Sequence, residues 1–286
     1  MLFEKEIKMD KLIHFFQYQV EEPGLFSLFH IVFLVIIVSM TVFISIRFKN
    51  CSEKTYKKII LICWIICLIM ESIKQIVKSF VYGSPSYFKY SFYDLPFHLC
   101  SLIYYIAPVL IFVKREKASF LYDALSWFMA IFSLFGGVIV ILFNSIVMST
   151  LLYTNIQTMI HHGIQVLLGV FIVTWNRKRL NIHSFLKSLV ILSVYTILAI
   201  LINVLITPVS NGIDMFYVNP YEVSVIPVIN EIHRNVGFTP YLMVYLLLII
   251  LMGFITYMVE VLIVNKFNFR CVFNKGDSNE KREENI

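Results

Sequence analysis

Stretches of about 20 apolar residues, long enough to cross roughly 30 Å of hydrocarbon as helices, recur along this chain. Seven such spans are expected, at about 25–46, 59–80, 95–113, 118–141, 151–175, 185–207 and 240–264. The chain has 286 residues, 59% hydrophobic and only 15% charged, with a mean hydropathy of +0.79. A soluble core of this size could not hide so much apolar surface, so the solvent is a bilayer. The expected fold is therefore all-α, a polytopic membrane bundle of seven helices. Residues 1–24 form a polar extracytoplasmic segment, 25–264 the transmembrane domain and 265–286 a polar cytoplasmic tail of disordered composition. The run from 25 lies too far from the start to read as a cleaved signal, and is expected to be a mature span.

Lys and Arg in the connections divide 17 to 7 between the two sides. The positive-inside rule then sets the N-terminus outside and the C-terminus in the cytoplasm of a multi-pass cell-membrane protein. At 1.5 Å per residue, His30, His98 and Cys100 fall within roughly 8 Å of the outer ends of their spans, and His161 and His162 roughly 15 Å deep. Glu71 lies near mid-membrane with Lys74, Gln75 and Lys78 above it, and Asn203 near the outer end of span six. Ionisable groups inside a bilayer are costly, and their gathering in the outer half is the main functional signal.

The stretch YDLPFHLCSLIYYIAP, residues 93–108, concentrates these groups. Asp94 is expected to N-cap span three, with Pro96 in its first turn. Pro108 frees the carbonyl of Tyr104 for another partner. On a regular helix His98 shares a face with Asp94, Ser101 and Tyr105, whereas Cys100 lies with Pro96 and Tyr104. A His98–Cys100 dyad then requires an irregular first turn or partners from other spans. Cys100 is either a nucleophile or a small packing residue. In TMIHHGIQ, His161 and His162 point 100° apart, so one of them is expected to enter a cavity. Gln157 is positioned to bond His161, and Gly163 admits a neighbouring helix. Glu71 with Lys74 reads as a compensated pair or a headgroup contact. The connection of about 30 residues before span seven has the length of a lid.

Other chemistries find no support. The net charge of +6 comes with no nucleic-acid motif, and a membrane surface explains it better. The five cysteines make no disulfide framework. There is no HExxH, GxSxG or phosphate-cradling loop, and a His30–His98–His162 metal site has no spacing to recommend it. No cofactor and no metal are expected.

At LPFHLCSLIYYIAP and IQTMIHHGIQVLLGV the chain resembles the YwaF/transmembrane-protein-164 family of integral membrane proteins. The likeness extends to ESIKQIVK and NGIDMFYVNPY, and covers roughly residues 25–264 in order. It implies a seven-helix membrane protein, and animal relatives are regarded as phospholipid acyltransferases that work through an acyl-cysteine. The family's histidines correspond to His98 and His162. In the animal members the cysteine directly precedes the first of these, where this chain has Phe97, and the thiol of Cys100 stands two places after it.

The expected function is acyl transfer on a phospholipid or lysolipid in the outer leaflet. Cys100 is the first-choice nucleophile and Ser101 the second, with His162 or His98 as base. Asp94, Ser101, Glu71, Lys74, Gln157, His161, Asn203 and His30 are expected around the substrate or behind the reacting groups. The alternative is a non-enzymatic transporter or lipid-binding protein that uses the same polar cavity. Oligomeric state is open.

Overall fold

The computed structural model describes residues 11, 13–81, 87–144, 147–210 and 212–266. Residues 1–10, 12, 82–86, 145–146, 211 and 267–286, which include most of the tail expected to be disordered, lie outside the described residues. Nine α-helices are labelled here in chain order.

Helix α1 (Leu28–Phe48) is capped by Ser27, whose Oγ accepts from the His30 amide, and α2 (Glu53–Ser79) by Ser52 in the same way through Thr55. A two-stranded ribbon, Phe80–Val81 with Tyr87–Phe88, follows α2. Next comes the short α3 (Ile103–Phe112), then α4 (Ser119–Phe128) and α5 (Leu134–Leu142), joined by a π-helical segment at Met129–Ser133. Helices α6 (Leu152–Asn176), α7 (Ile182–Ile206), α8 (Asn230–Val236) and α9 (Phe238–Lys266) complete the chain.

Among the described residues, six helical stretches have the length and apolarity of a membrane crossing. The segment expected at 95–113 is shorter. Leu95 and His98 are non-helical, Leu95 because the following Pro96 disfavours helical backbone there and His98 at φ −86°, ψ 167°, and between them the Phe97 amide turns back onto the Leu95 carbonyl at 2.7 Å. A 3-10 turn over Leu99–Leu102 then leads into α3. Asp94 consequently does not cap a helix. It closes a 3-10 turn at Phe92–Asp94 and pairs with Lys78 at 2.5 Å. Pro108 does free the Tyr104 carbonyl, which accepts from Trp64 Nε1 at 3.2 Å.

Position in the bundle follows polarity. In α6, 72% of the apolar window is buried, against 22% in α1, α2 and α9, whose outer faces carry exposed Ile, Val, Leu and Phe. The helix with the least apolar crossing window is thus the central post, since a buried amide or imidazole needs protein partners on every side. Gly163 lets α1 lie close: a Cβ there would stand 2.7 Å from Ile37 Cγ1.

The long connection before α9 packs into one end of the bundle, burying Ile213, Met215, Phe216 and Val218. Asn203 clamps it, donating from Nδ2 to the Met215 carbonyl at 2.9 Å and accepting from its amide at 2.7 Å. At the other end Asp123 takes Arg115 at 2.7 Å and Lys187 at 2.9 Å, tying α4 to α7.

Candidate functional site: a polar seam between α2, α3 and α6

Glu71 is the hub. It is buried on α2, where an ionised carboxylate needs donors for its lone pairs. Oε1 accepts from Gln75 Nε2 at 2.6 Å and pairs with Lys74 Nζ at 2.8 Å. Oε2 accepts from Gln157 Nε2 at 3.2 Å and from the Tyr104 hydroxyl at 3.3 Å. Those donors come from α2, α3 and α6, so one side chain knits three elements together.

From Tyr104 the network continues to His161, whose Nδ1 lies 3.0 Å from the hydroxyl. His161 Nε2 is 3.0 Å from the carbonyl oxygen of Cys100. A carbonyl only accepts, so Nε2 carries the proton and neutral Nδ1 accepts from Tyr104. Tyr104 has one proton for two acceptors, and the shorter contact to His161 leaves that ring neutral. Gln165, one turn further along α6, donates to the same Cys100 carbonyl at 2.6 Å and to Ser133 Oγ at 3.2 Å. Ser133 closes the π-helical segment, where the wider turn rotates side chains off the α-helical register. The 3-10 turn that carries Cys100 is therefore held from behind by two α6 side chains.

The other two imidazoles differ. His162 is turned back along its own helix, donating from Nδ1 to the Thr158 carbonyl at 2.7 Å, which leaves Nε2 with its lone pair. The His98 ring rests against Tyr93 and Tyr217, with centroids 6.5 and 5.5 Å away, and has no hydrogen bond among the described residues. The Cys100 thiol has a loose contact of 4.0 Å with Ser101 Oγ.

Glu71, Lys74, Gln157, His161 and the backbone of Cys100 thus meet in one network, with Asp94 attached because Gln75 Nε2 also donates to its carbonyl at 2.6 Å. Gln157 serves Glu71, and Tyr104 takes the place at His161 expected for it. Two expected members belong elsewhere. His30 accepts the Phe26 amide at Nδ1 (3.0 Å) and donates from Nε2 to the Ile141 carbonyl at 2.8 Å, fastening α1 to α5. Asn203 clamps the outer connection. Among the described residues no group of three or more His, Cys, Asp or Glu side chains is arranged to hold a metal ion.

Tyr104, Gln165, Ser133, Tyr195 and Tyr217 were not expected here. Tyr195 donates to the Phe97 carbonyl at 2.8 Å and packs at a tilt against the Phe97 ring, holding the irregular stretch before the turn. Phe216 and Tyr217 are consecutive aromatic residues at φ 57°, a left-handed conformation costing about 1–3 kcal/mol each. The Phe216 ring is held between Tyr195 and Tyr245, and the Tyr217 carbonyl accepts from Tyr241 at 2.7 Å. That strained corner lays Tyr217 over His98.

The profile of the TMEM164 family matches residues 25–259, most of the chain and all of this seam. No curated protein and no solved structure matches.

Proposed function

This chain belongs to the TMEM164 family, and from that premise and the seam's geometry we propose that it is a membrane lipid acyltransferase. Acyl groups pass between a phospholipid and a lysolipid in the outer leaflet, with Cys100 as the nucleophile. Seven crossings, the short segment Leu99–Phe112 included, with the N-terminus outside and the C-terminus in the cytoplasm, complete the reading.

One observation carries it. A thiol sits on an irregular 3-10 turn whose carbonyl is gripped by His161 and Gln165, beside a buried carboxylate neutralised by its own lysine. Such a turn holds its side chains more rigidly than a free helix end. Rigid placement is what a nucleophile needs to meet an ester within reacting distance.

The Cys100 sulfur attacks the ester carbonyl as an imidazole lone pair takes the thiol proton. The carbonyl–oxygen bond breaks, and the imidazolium returns the proton to the departing glycerol oxygen. This leaves a thioester and a lysolipid. A lysolipid hydroxyl then attacks the thioester, losing its proton to the same imidazole, and the thiol re-forms. His162 through Nε2 and His98 are the two rings free to serve as base. His161, with both nitrogens engaged, is a positioning residue.

The reading is tested in reconstituted vesicles with a labelled phospholipid donor and a lysolipid acceptor. Cys100→Ala and either His162→Ala or His98→Ala should each lower transfer at least 100-fold. Full turnover by Cys100→Ala together with Ser101→Ala would remove it.

A further inference from the structure

The chain ahead of α1 is a strap. Gln17 Nε2 donates to the Val77 and Phe80 carbonyls at 2.7 and 3.2 Å, Val20 N donates to Thr150 at 2.8 Å, and Leu152 N donates to Tyr18 at 3.0 Å. The Phe16 ring packs edge-on against Tyr153 at 5.2 Å. The strap thereby roofs the crevice where the end of α2 meets the start of α6, and a groove of about 770 Å³ remains beneath it. The strap lines it through His14, Gln17, Tyr18 and Gln19, α2 through Lys78, and Asp94 and Leu151 add to the lining. Its volume lies within the range of small-molecule sites.

We propose that this groove is a phospholipid headgroup subsite, with Lys78 taking the phosphate and Asp94 taking the ammonium of a zwitterionic head. The inference rests on the acyl-transfer reading of the seam, to which the groove is tied by Gln75, whose Nε2 donates both to Glu71 Oε1 and to the Asp94 carbonyl at 2.6 Å. Glu71 lies two turns inward of Lys78 along α2, about 10 Å by helical rise, with Lys74 between them. Gln157 lies six residues inward of Leu151 along α6 on the opposite wall.

Charge and surroundings favour this occupant. A lone anion would meet Asp94, and a lone cation would meet Lys78. A ligand with both charges exchanges one ion pair for two and leaves neither side chain unpaired. Lys78 is one-third exposed and Asp94 less, so a ligand reaches both from the groove. Tyr18, Phe15 and Tyr93 stand exposed nearby, the residue types that settle at a membrane–water boundary.

The test is binding, read by native mass spectrometry of the full chain in detergent. Probes are lysophosphatidylethanolamine, lysophosphatidylglycerol and monoacylglycerol of one chain length, with glycerophosphoethanolamine as the chain-free competitor. Lysophosphatidylethanolamine is expected to bind at least ten-fold tighter than the other two lipids. Asp94→Asn should abolish its advantage over lysophosphatidylglycerol, and Lys78→Gln its advantage over monoacylglycerol. Gln19→Trp, which fills the groove and leaves both charges in place, should weaken the zwitterionic lipid selectively. Competition by glycerophosphoethanolamine at equal concentration would assign the groove to a soluble phosphodiester, and so overturn a lipid subsite. Equal affinity for the three lipids, or a preference untouched by all three substitutions, would also overturn it. If the preference and its losses appear while no acyl transfer is detected, the subsite stands and the acyl-transfer reading falls.

Discussion

His161 Nε2 lies 3.0 Å from the carbonyl oxygen of Cys100, so an imidazole on the central helix holds the backbone of the one cysteine placed among reactive neighbours. The contact goes to the carbonyl and not the thiol, and the role of His161 follows from that. Replacing it with Phe leaves Tyr104 with only its longer contact to Glu71 and the Cys100 carbonyl with Gln165 alone. The expected destabilisation is about 1–3 kcal/mol, seen as a lower unfolding temperature in detergent. Acyl transfer should fall, with the larger change in kcat. Unchanged kcat and melting would show that the contact is idle.

Glu71 gives a sharper stability test. Leu at this position strands the Lys74 ammonium and the amide protons that Gln75 and Gln157 give Glu71, a change expected to cost about 3–5 kcal/mol. Glu71→Gln keeps an acceptor and should lose clearly less. Thermal unfolding of the two variants side by side decides it, and equal losses would mean that the charge is not held by this network.

The outer connection carries a pH dependence. Burial pushes the Asp214 carboxyl up to about 7, the Asn219 amide on Oδ1 opposes this, and the nearby Glu222 charge adds to it. Raised above its unfolded value, the group lends stability that is complete below about pH 4 and lost as pH rises through about 7. Hydrogen exchange over residues 212–220 should therefore report more frequent opening at pH 8 than at pH 5, after correction for intrinsic rates. Asp214→Asn should flatten that difference, and a persistent slope would assign it to another group.

Gly163 tests the approach of α1 to α6. Gly163→Val drives a branched side chain into Ile37, an overpacking expected to cost about 1–3 kcal/mol. Ile37→Ala should recover part of this in the double variant. Additive losses would show that the two residues do not share the contact.

Much of this arrangement is legible in the residues. Six of the expected spans recur as long apolar helices among the described residues, and the need to satisfy Glu71, Lys74 and His161 inside a bilayer foretells that they meet. Tyr104 stands four residues after Cys100, and Gln165 four after His161, so helical spacing already places both near the site. Less legible is which of two adjacent histidines faces the seam, because that depends on α6 rotating to bury its polar side against α2 and α3. The π-helical segment at Met129–Ser133 has no compositional signature, since its wider turn comes from packing against neighbours. Likewise Pro96 warns of an irregular start to span three, but the stretch through His98 is held by Tyr195 on the Phe97 carbonyl, a contact across nearly 100 residues.

The central claim is that Cys100 carries the acyl group. Intact-protein mass spectrometry after brief incubation with a phospholipid of defined chains tests it most directly. The account predicts one added acyl mass, removed by neutral hydroxylamine, mapped to the peptide holding Cys100 and absent from Cys100→Ala. Transfer to a lysolipid acceptor that proceeds at full rate with no adduct, or with an adduct that survives Cys100→Ala, would contradict it.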